Sequence, residues 1–114
     1  MSDSDCLFCR IAAGEIPADV VHRGERVLGF RDIDPKAPTH VLVIPRAHHR
    51  SVADLAVAEP ATLAELAEAA QEIAAADGHD SFRLVFNTGA RSGQSVFHVH
   101  GHVLAGRDMS WPPG

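Results

Sequence analysis

The chain has no tyrosine, a single tryptophan and only two cysteines in 114 residues. With no phenol, tyrosine chemistry is excluded. Two thiols cannot build a disulfide framework, and no apolar run approaches the roughly 18–20 residues that span a bilayer. Basic residues are also scarce, ten Lys and Arg against fifteen Asp and Glu, for a formal charge of −5. Phosphate backbones are held mainly by cationic side chains, so broad binding to nucleic acid or to acidic membranes is not expected. The segment Met1 to Asp5 is polar and acidic, unlike a secretory signal, and this predicts a cytoplasmic protein. In that compartment the cysteines are expected as thiols or metal ligands. What the chain does have is imidazole, with eight histidines.

Apolar residues make up 46% and charged residues 22%, a balance and length suited to one compact domain over residues 1–114. Pro60 at a first helical position and Gly78 as a C-terminal stop bracket a long helix from Glu59 to Gly78. Its apolar stripe is read as Leu63, Leu66, Ala67, Ala70, Ile73 and Ala74, with Glu65, Glu68 and Glu72 off it. A short helix is expected over Cys6–Ala13, ended by Gly14. Strands are expected at Val20–His22, Val27–Ile33, Thr39–Pro45, Phe82–Thr88 and Val96–Leu104. This order predicts an α+β domain on a mostly antiparallel sheet of about five strands, with one long and one short helix.

His98-Val99-His100-Gly101-His102 carries the strongest chemical signal. On a strand, alternate residues share a face, which would set the three imidazoles in a row about 6.6–6.8 Å apart. A merely solvated strand has no need of histidine. Two chemistries compete: a triad-bound catalytic zinc, or a nucleophilic imidazole whose neighbours orient it and bind the anion it attacks. The preceding loop, Asn87 to Ser95, favours the nucleophile, because its glycines, amides and hydroxyls are neutral donors for an anion.

Cys6-Leu7-Phe8-Cys9 is half of a zinc site, with His40, His48, His49 and His98 as candidate partners. A redox role is the competing reading, but no thioredoxin-like βαβ pattern surrounds the pair. His22 and His79 read as surface residues near turns, and Arg46, Arg50 and Arg91 as solvated surface. Asp32 and Asp34 end a strand before Pro35; they read either as turn-capping acids or as acceptors for sugar hydroxyls.

Taken together these residues resemble the HIT (histidine triad) superfamily. His98-Val99-His100-Gly101-His102-Val103-Leu104 is similar to its triad, and Gly93-Gln94-Ser95-Val96-Phe97 and Asp32 to Pro45 match it in order and spacing. Ala105-Gly106-Arg107 and Trp111-Pro112-Pro113-Gly114 resemble the Hint branch. The resemblance implies a HIT-like fold and a purine nucleoside phosphoramidate hydrolase that passes through a nucleotidyl-histidine. It implies His100 as nucleophile, His102 as phosphate ligand, His98 in support, and Ser95 at the phosphate or the departing nitrogen. Asn87, Gly93 and Gln94 would line the phosphate site, Asp32 with Ile33 would take the ribose, and Phe8, Ile11, Ile16 and Phe30, with Leu7 beside them, would surround the base of an AMP or GMP unit. Cys6, Cys9, His48 and His98 match the zinc ligands of some relatives, which implies a structural zinc and no catalytic metal; His40 matches a histidine behind the triad. A homodimer with a shared sheet is also implied, with Trp111 near the partner's pocket. Dinucleoside polyphosphate hydrolysis, nucleotidyl transfer and a weakly catalytic regulatory module are the alternatives. The chain departs from the family at Gly101, where an apolar side chain is usual. Glycine there removes packing on the face away from the histidines, weakens the strand by about 0.5–1 kcal/mol, and leaves room for a bulky neighbour, for which the long helix is the expected source.

Overall fold

The computed structural model describes residues 5–114. Helix α1 covers Leu7–Ala12, followed by strands β1 (Val20–Arg23), β2 (Val27–Arg31) and β3 (Thr39–Pro45). Helices α2 (Val52–Ala58) and α3 (Pro60–Ala76) come next, then β4 (Arg83–Phe86) and β5 (Gly101–Ala105). The strands form one five-stranded sheet in the order β1-β2-β3-β5-β4, and every neighbouring pair is antiparallel. The α+β expectation holds, with three helices rather than two. No helix among the described residues is long and apolar enough to cross a membrane.

The period of two along the strands separates two cores. Val27, Val41, Val43 and Val103 face α3 and pack on Leu66, Ala69, Ala70, Ile73 and Ala74. Leu28, Phe30, Leu42 and Ile44 face the other way and pack on Phe8 of α1. Being covered on both faces, β3 is buried at all seven positions. The apolar stripe of α3 is rotated from the expected one. Thr62 and Ala69 are buried and Ala67 is exposed, because the helix lies against the β2–β3 side of the sheet.

Helix α2 has a legible start: Ser51 accepts from the Asp54 N–H at 3.3 Å, and Leu55 is fully buried. It stops at Glu59 because Pro60 disfavours the helical region for the residue before it, and Glu59 sits at φ −144°, ψ 71°. Proline then opens α3 at a position where no N–H is needed. At the other end Gly78 (φ +90°) reverses the chain, with the N–H groups of His79 and Gly78 donating to Ala74 and Ala75 at 2.9 Å each. Asp77, beside this stop, accepts two hydrogen bonds from Arg31 (2.9 and 3.1 Å) and one from Thr39 (2.7 Å). The Arg31 hydrogen bonds come first among the interactions holding its carboxyl down to about 2. His79 is part of this knot rather than plain surface, 3.0 Å from the Thr39 hydroxyl, and His22 is half-buried. Arg46 likewise braces the fold, donating to the carbonyls of Gly24 and Ala12. Arg50 stacks over the Phe97 ring at 4.7 Å.

The expected strand Val96–Leu104 is shorter than its pattern suggests: only Gly101–Ala105 joins the ladder. Ahead of it, backbone groups that a strand would use are taken by side chains and loops. The His98 carbonyl accepts from the His100 ring, the Pro45 carbonyl accepts from the His98 ring, and the Val99 N–H donates to His49.

Gly101 does make room for bulky neighbours, but they come from β4 and not from the long helix. A Cβ placed there would lie 2.9 Å from Leu84 Cδ1 and 3.1 Å from the Phe86 ring. A β-branched or longer side chain would gain about 0.5–1 kcal/mol in strand preference but meet overpacking that costs about 1–3 kcal/mol. Gly101→Leu is therefore expected to lower the denaturant midpoint, and adding Leu84→Ala in the same chain to recover a substantial part of the loss.

Candidate active site and metal centre

Three imidazoles in one segment end up in three different hydrogen-bonding states. His98 is fully buried; its Nε2–H donates to the Pro45 carbonyl at 2.8 Å, which leaves the lone pair on Nδ1. His100 is rotated the opposite way. Its Nδ1–H donates to the His98 carbonyl at 2.9 Å, so the lone pair is on Nε2. At His102 the chain of partners starts further off. The Lys36 N–H donates to His40 Nδ1 at 3.0 Å, so His40 donates from Nε2 to His102 Nδ1 at 2.9 Å. His102 therefore carries its own proton on Nε2. Burial, the largest influence in each case, pushes His98 and His102 down to about 4 and lowers His40 as well. All three are thus neutral near pH 7. The rings of His100 and His102 lie 5.0 Å apart, closer than two facing positions of an extended strand, because only His102 is on β5.

His100 and His102 line one cavity of about 540 Å³. Phe8, Ile11, Phe30, Asp32, Ile33 and Ser95 line it too, as the sequence reading placed them, together with Leu7. Phe8 holds the apolar wall rigid, edge-on to Phe30 at 5.5 Å and to His100 at 5.0 Å. Ile33 is fully exposed at the rim. Ile16 is not brought to this wall. Pro17, Ala18 and Asp19 take its place, since the turn after α1 carries the chain past the cavity before β1 begins. Leu42 and Val96 were also missed; the even-numbered face of β3 was the available signal for Leu42.

The loop ahead of the triad departs from its expected role. Gln94 is buried, its carbonyl accepting from the Gly89 N–H and its amide donating to Arg50 and Val96. The Gly93 N–H donates to Ala90 at 3.0 Å and the Gln94 N–H to Gly89 at 3.1 Å. These residues close the loop on itself, with Gly89 and Gly93 at positive φ, and Ser95 is the group they deliver to the cavity. Asn87 lines a second cavity of about 380 Å³ instead. Among the described residues, only Asp32 and His102 border both. Asp32 caps the turn, one oxygen accepting from the Asp34 N–H at 2.8 Å, and the residue also lines the first cavity.

Behind the triad, donor atoms of Cys6, Cys9, His48 and His98 all lie within 4.8 Å of one another. His98 Nδ1 is 3.3 Å from Cys6 Sγ and 3.4 Å from Cys9 Sγ, and His48 Nδ1 is 3.5 Å from Cys9 Sγ. Donors around a tetrahedral zinc, with Zn–S about 2.3 Å and Zn–N about 2.0–2.1 Å, stand about 3.3–3.8 Å apart, so these residues fit that ion. The Pro45 carbonyl fixes His98 in the tautomer a metal needs. His49 and His40 are settled elsewhere. His49 contacts Glu59 at 2.6 Å, and both nitrogens of His40 are engaged in the relay to His102.

A model of the HIT domain matches residues 13–109. The chain belongs to the HIT domain family. It is 44% identical over 118 residues to a 14 kDa zinc-binding protein of Zea mays, a match covering 100% of this chain and 91% of that one. It is 41% identical to the adenylylsulfatase HINT1 of Arabidopsis thaliana, covering 99% and 79%. A HIT family hydrolase from Legionella pneumophila superposes with a TM-score of 0.91 at 47% identity, covering 96% of this chain and 100% of the other. This HIT chain is thereby placed among nucleotide hydrolases and transferases.

Two outcomes follow for the HIT site. Cys9→Ser is expected to abolish zinc binding, measured by metal emission on purified protein, and to lower Tm by several degrees. The His102 proton has a separate signature. Its folded-state pKa lies near 4 and its unfolded value near 6.5, so the unfolded chain takes up a proton that the fold refuses. Stability should therefore rise with pH between about 4 and 6.5. His102→Asn should make that slope of Tm against pH shallower, as read by thermal melts.

Proposed function

We propose that this HIT protein is a purine nucleoside phosphoramidate hydrolase that works through a covalent nucleotidyl-His100 intermediate. The observation that carries the reading is the pair of Nε2 atoms on one cavity, a lone pair at His100 beside a proton at His102. A nucleophile and a neutral donor for a phosphoryl oxygen are thus supplied side by side.

The base lies between Phe8, Ile11 and Phe30, and Asp32 accepts from the ribose hydroxyls. His100 Nε2 forms a bond to the α-phosphorus while the P–N bond breaks. The amine leaves with the bonding pair and takes the Ser95 hydroxyl proton, which the attacking water restores in the second step. The His98 carbonyl, accepting from Nδ1–H, favours the positive charge that develops on the substituted ring. Water then attacks phosphorus, the ring leaves as neutral imidazole, and a nucleoside monophosphate is released. Because the metal donors lie behind the triad, zinc is structural in this scheme: when bound it ties α1 to the segment that carries His100. The free edge of β4 supports a homodimer with a continuous sheet. The Arabidopsis relative's name supports a second substrate for the same chemistry, adenylylsulfate, in which sulfate leaves in place of the amine.

Brief mixing with an adenosine phosphoramidate should add one nucleotidyl mass to a peptide containing His100. His100→Ala should lose at least about 10⁴-fold in kcat, since the residual rate would lack the covalent route. Full turnover by that variant would remove His100 as nucleophile.

A further inference from the structure

The second cavity has a chemistry that the nucleoside does not use. It opens on the far side of His102 and excludes His100, and it is lined by Lys36, Arg83, Asn87 and Arg107. Lys36 is neutralised by Asp34 at 2.8 Å. The two arginines are not: among the described residues neither is paired with a carboxylate. Arg83 donates to the Ser110 carbonyl at 3.0 Å, and Arg107 to the carbonyls of Lys36 and Asp108 at 2.9 and 3.2 Å. Main-chain carbonyls rather than carboxylates therefore hold two guanidinium groups at the cavity, and their two charges outnumber the one carboxylate, Asp32, left beside the Lys36–Asp34 pair. The rest of the wall carries one further carboxylate, Asp32, with the imidazoles of His40 and His102, and is otherwise apolar, from Val85, Leu104, Met109 and Pro113.

We infer that this cavity receives the leaving group and selects one that carries its own anionic centre, a sulfo, carboxyl or phosphoryl group. The inference rests on the proposed attack by His100. In-line displacement puts the departing atom opposite the nucleophile. With the nucleoside in the first cavity and His100 on its wall, the departing group moves past His102, one of the two residues bordering both cavities. There it meets Arg83 and Arg107, whose planar donors suit oxyanions. A cationic amine meets the same two charges as repulsion. Sulfate leaving from adenylylsulfate is one member of the favoured class.

The test is a set of adenosine phosphoramidates of matched length, made from taurine, β-alanine, propylamine and ethylenediamine. Wild-type protein is expected to show kcat/KM at least about tenfold higher for the two acidic amines than for propylamine, with ethylenediamine lowest. Taurine against β-alanine separates preference for a sulfonate from preference for a carboxylate. Arg83→Gln and Arg107→Gln, made separately, should each shrink the acidic-to-neutral ratio severalfold, and raised salt should shrink it in wild type. A flat profile, or faster release of ethylenediamine, in protein that turns over the propylamine substrate would overturn the inference and leave His100 chemistry standing. Failure to hydrolyse any of the four would overturn both.

Discussion

The hydrogen bond from His100 Nδ1 to the carbonyl of His98 is where chain path and chemistry meet. It fixes the His100 ring with its lone pair on Nε2, and it removes the His98 carbonyl from the sheet ladder. The segment before Gly101 leaves the strand geometry as a result, and its rings come closer together than a strand would allow. The neighbouring bond, His98 Nε2 to Pro45, works in the same direction: it anchors the segment to the end of β3 and turns Nδ1 toward the thiols. Two carbonyl acceptors thus give one repeated residue type two orientations, with the lone pair on Nδ1 toward the thiols at His98 and on Nε2 at His100.

Helix α1 is only six residues long and could not hold this position by its own hydrogen bonds. Its buried Phe8 contacts the rings of Phe30, His98 and His100, and Cys6 and Cys9 close on His98 and His48 from the same side. The apolar wall of the first cavity and the cysteine pair are therefore one element seen from two faces. A metal at the cysteines would act on the chemistry only through this packing.

His102 has the corresponding position for the two cavities. It is on β5 opposite Leu42 of β3 and Val85 of β4, and its state is set from outside its own strand by His40 and Lys36. The first cavity is mostly apolar, with Asp19, Arg31 and Asp32 as its charged lining, and the far side carries Arg83 and Arg107 without carboxylate partners. The net charge of −5 conceals this local separation. An acidic chain can hold a phosphorylated ligand because neutral imidazoles and fixed guanidinium groups, rather than the overall field, meet it.

The residue pattern by itself determined the elements with strong local causes. Pro60 and Gly78 bounded α3 through a missing N–H and a left-handed turn. The β-branched run Thr39–Pro45 marked the central strand, and the spacings at Cys6-x-x-Cys9 and His98-x-His100-x-His102 marked the chemistry. Helix α2 was readable from its Ser51 cap but hidden by its short length. Other features had no local signature. Gln94 looked like a phosphate donor and is a loop brace, because its partners at Arg50 and Val96 meet it only on folding. Ile16 gave way to Pro17, Ala18 and Asp19 through the path of one turn. Choosing His48 over His49 and His40, filling the space at Gly101 from β4, and fixing the proton on each ring all required tertiary structure. Each depends on which group stands opposite, and a hydrogen bond or metal ligand is completed by residues distant in sequence.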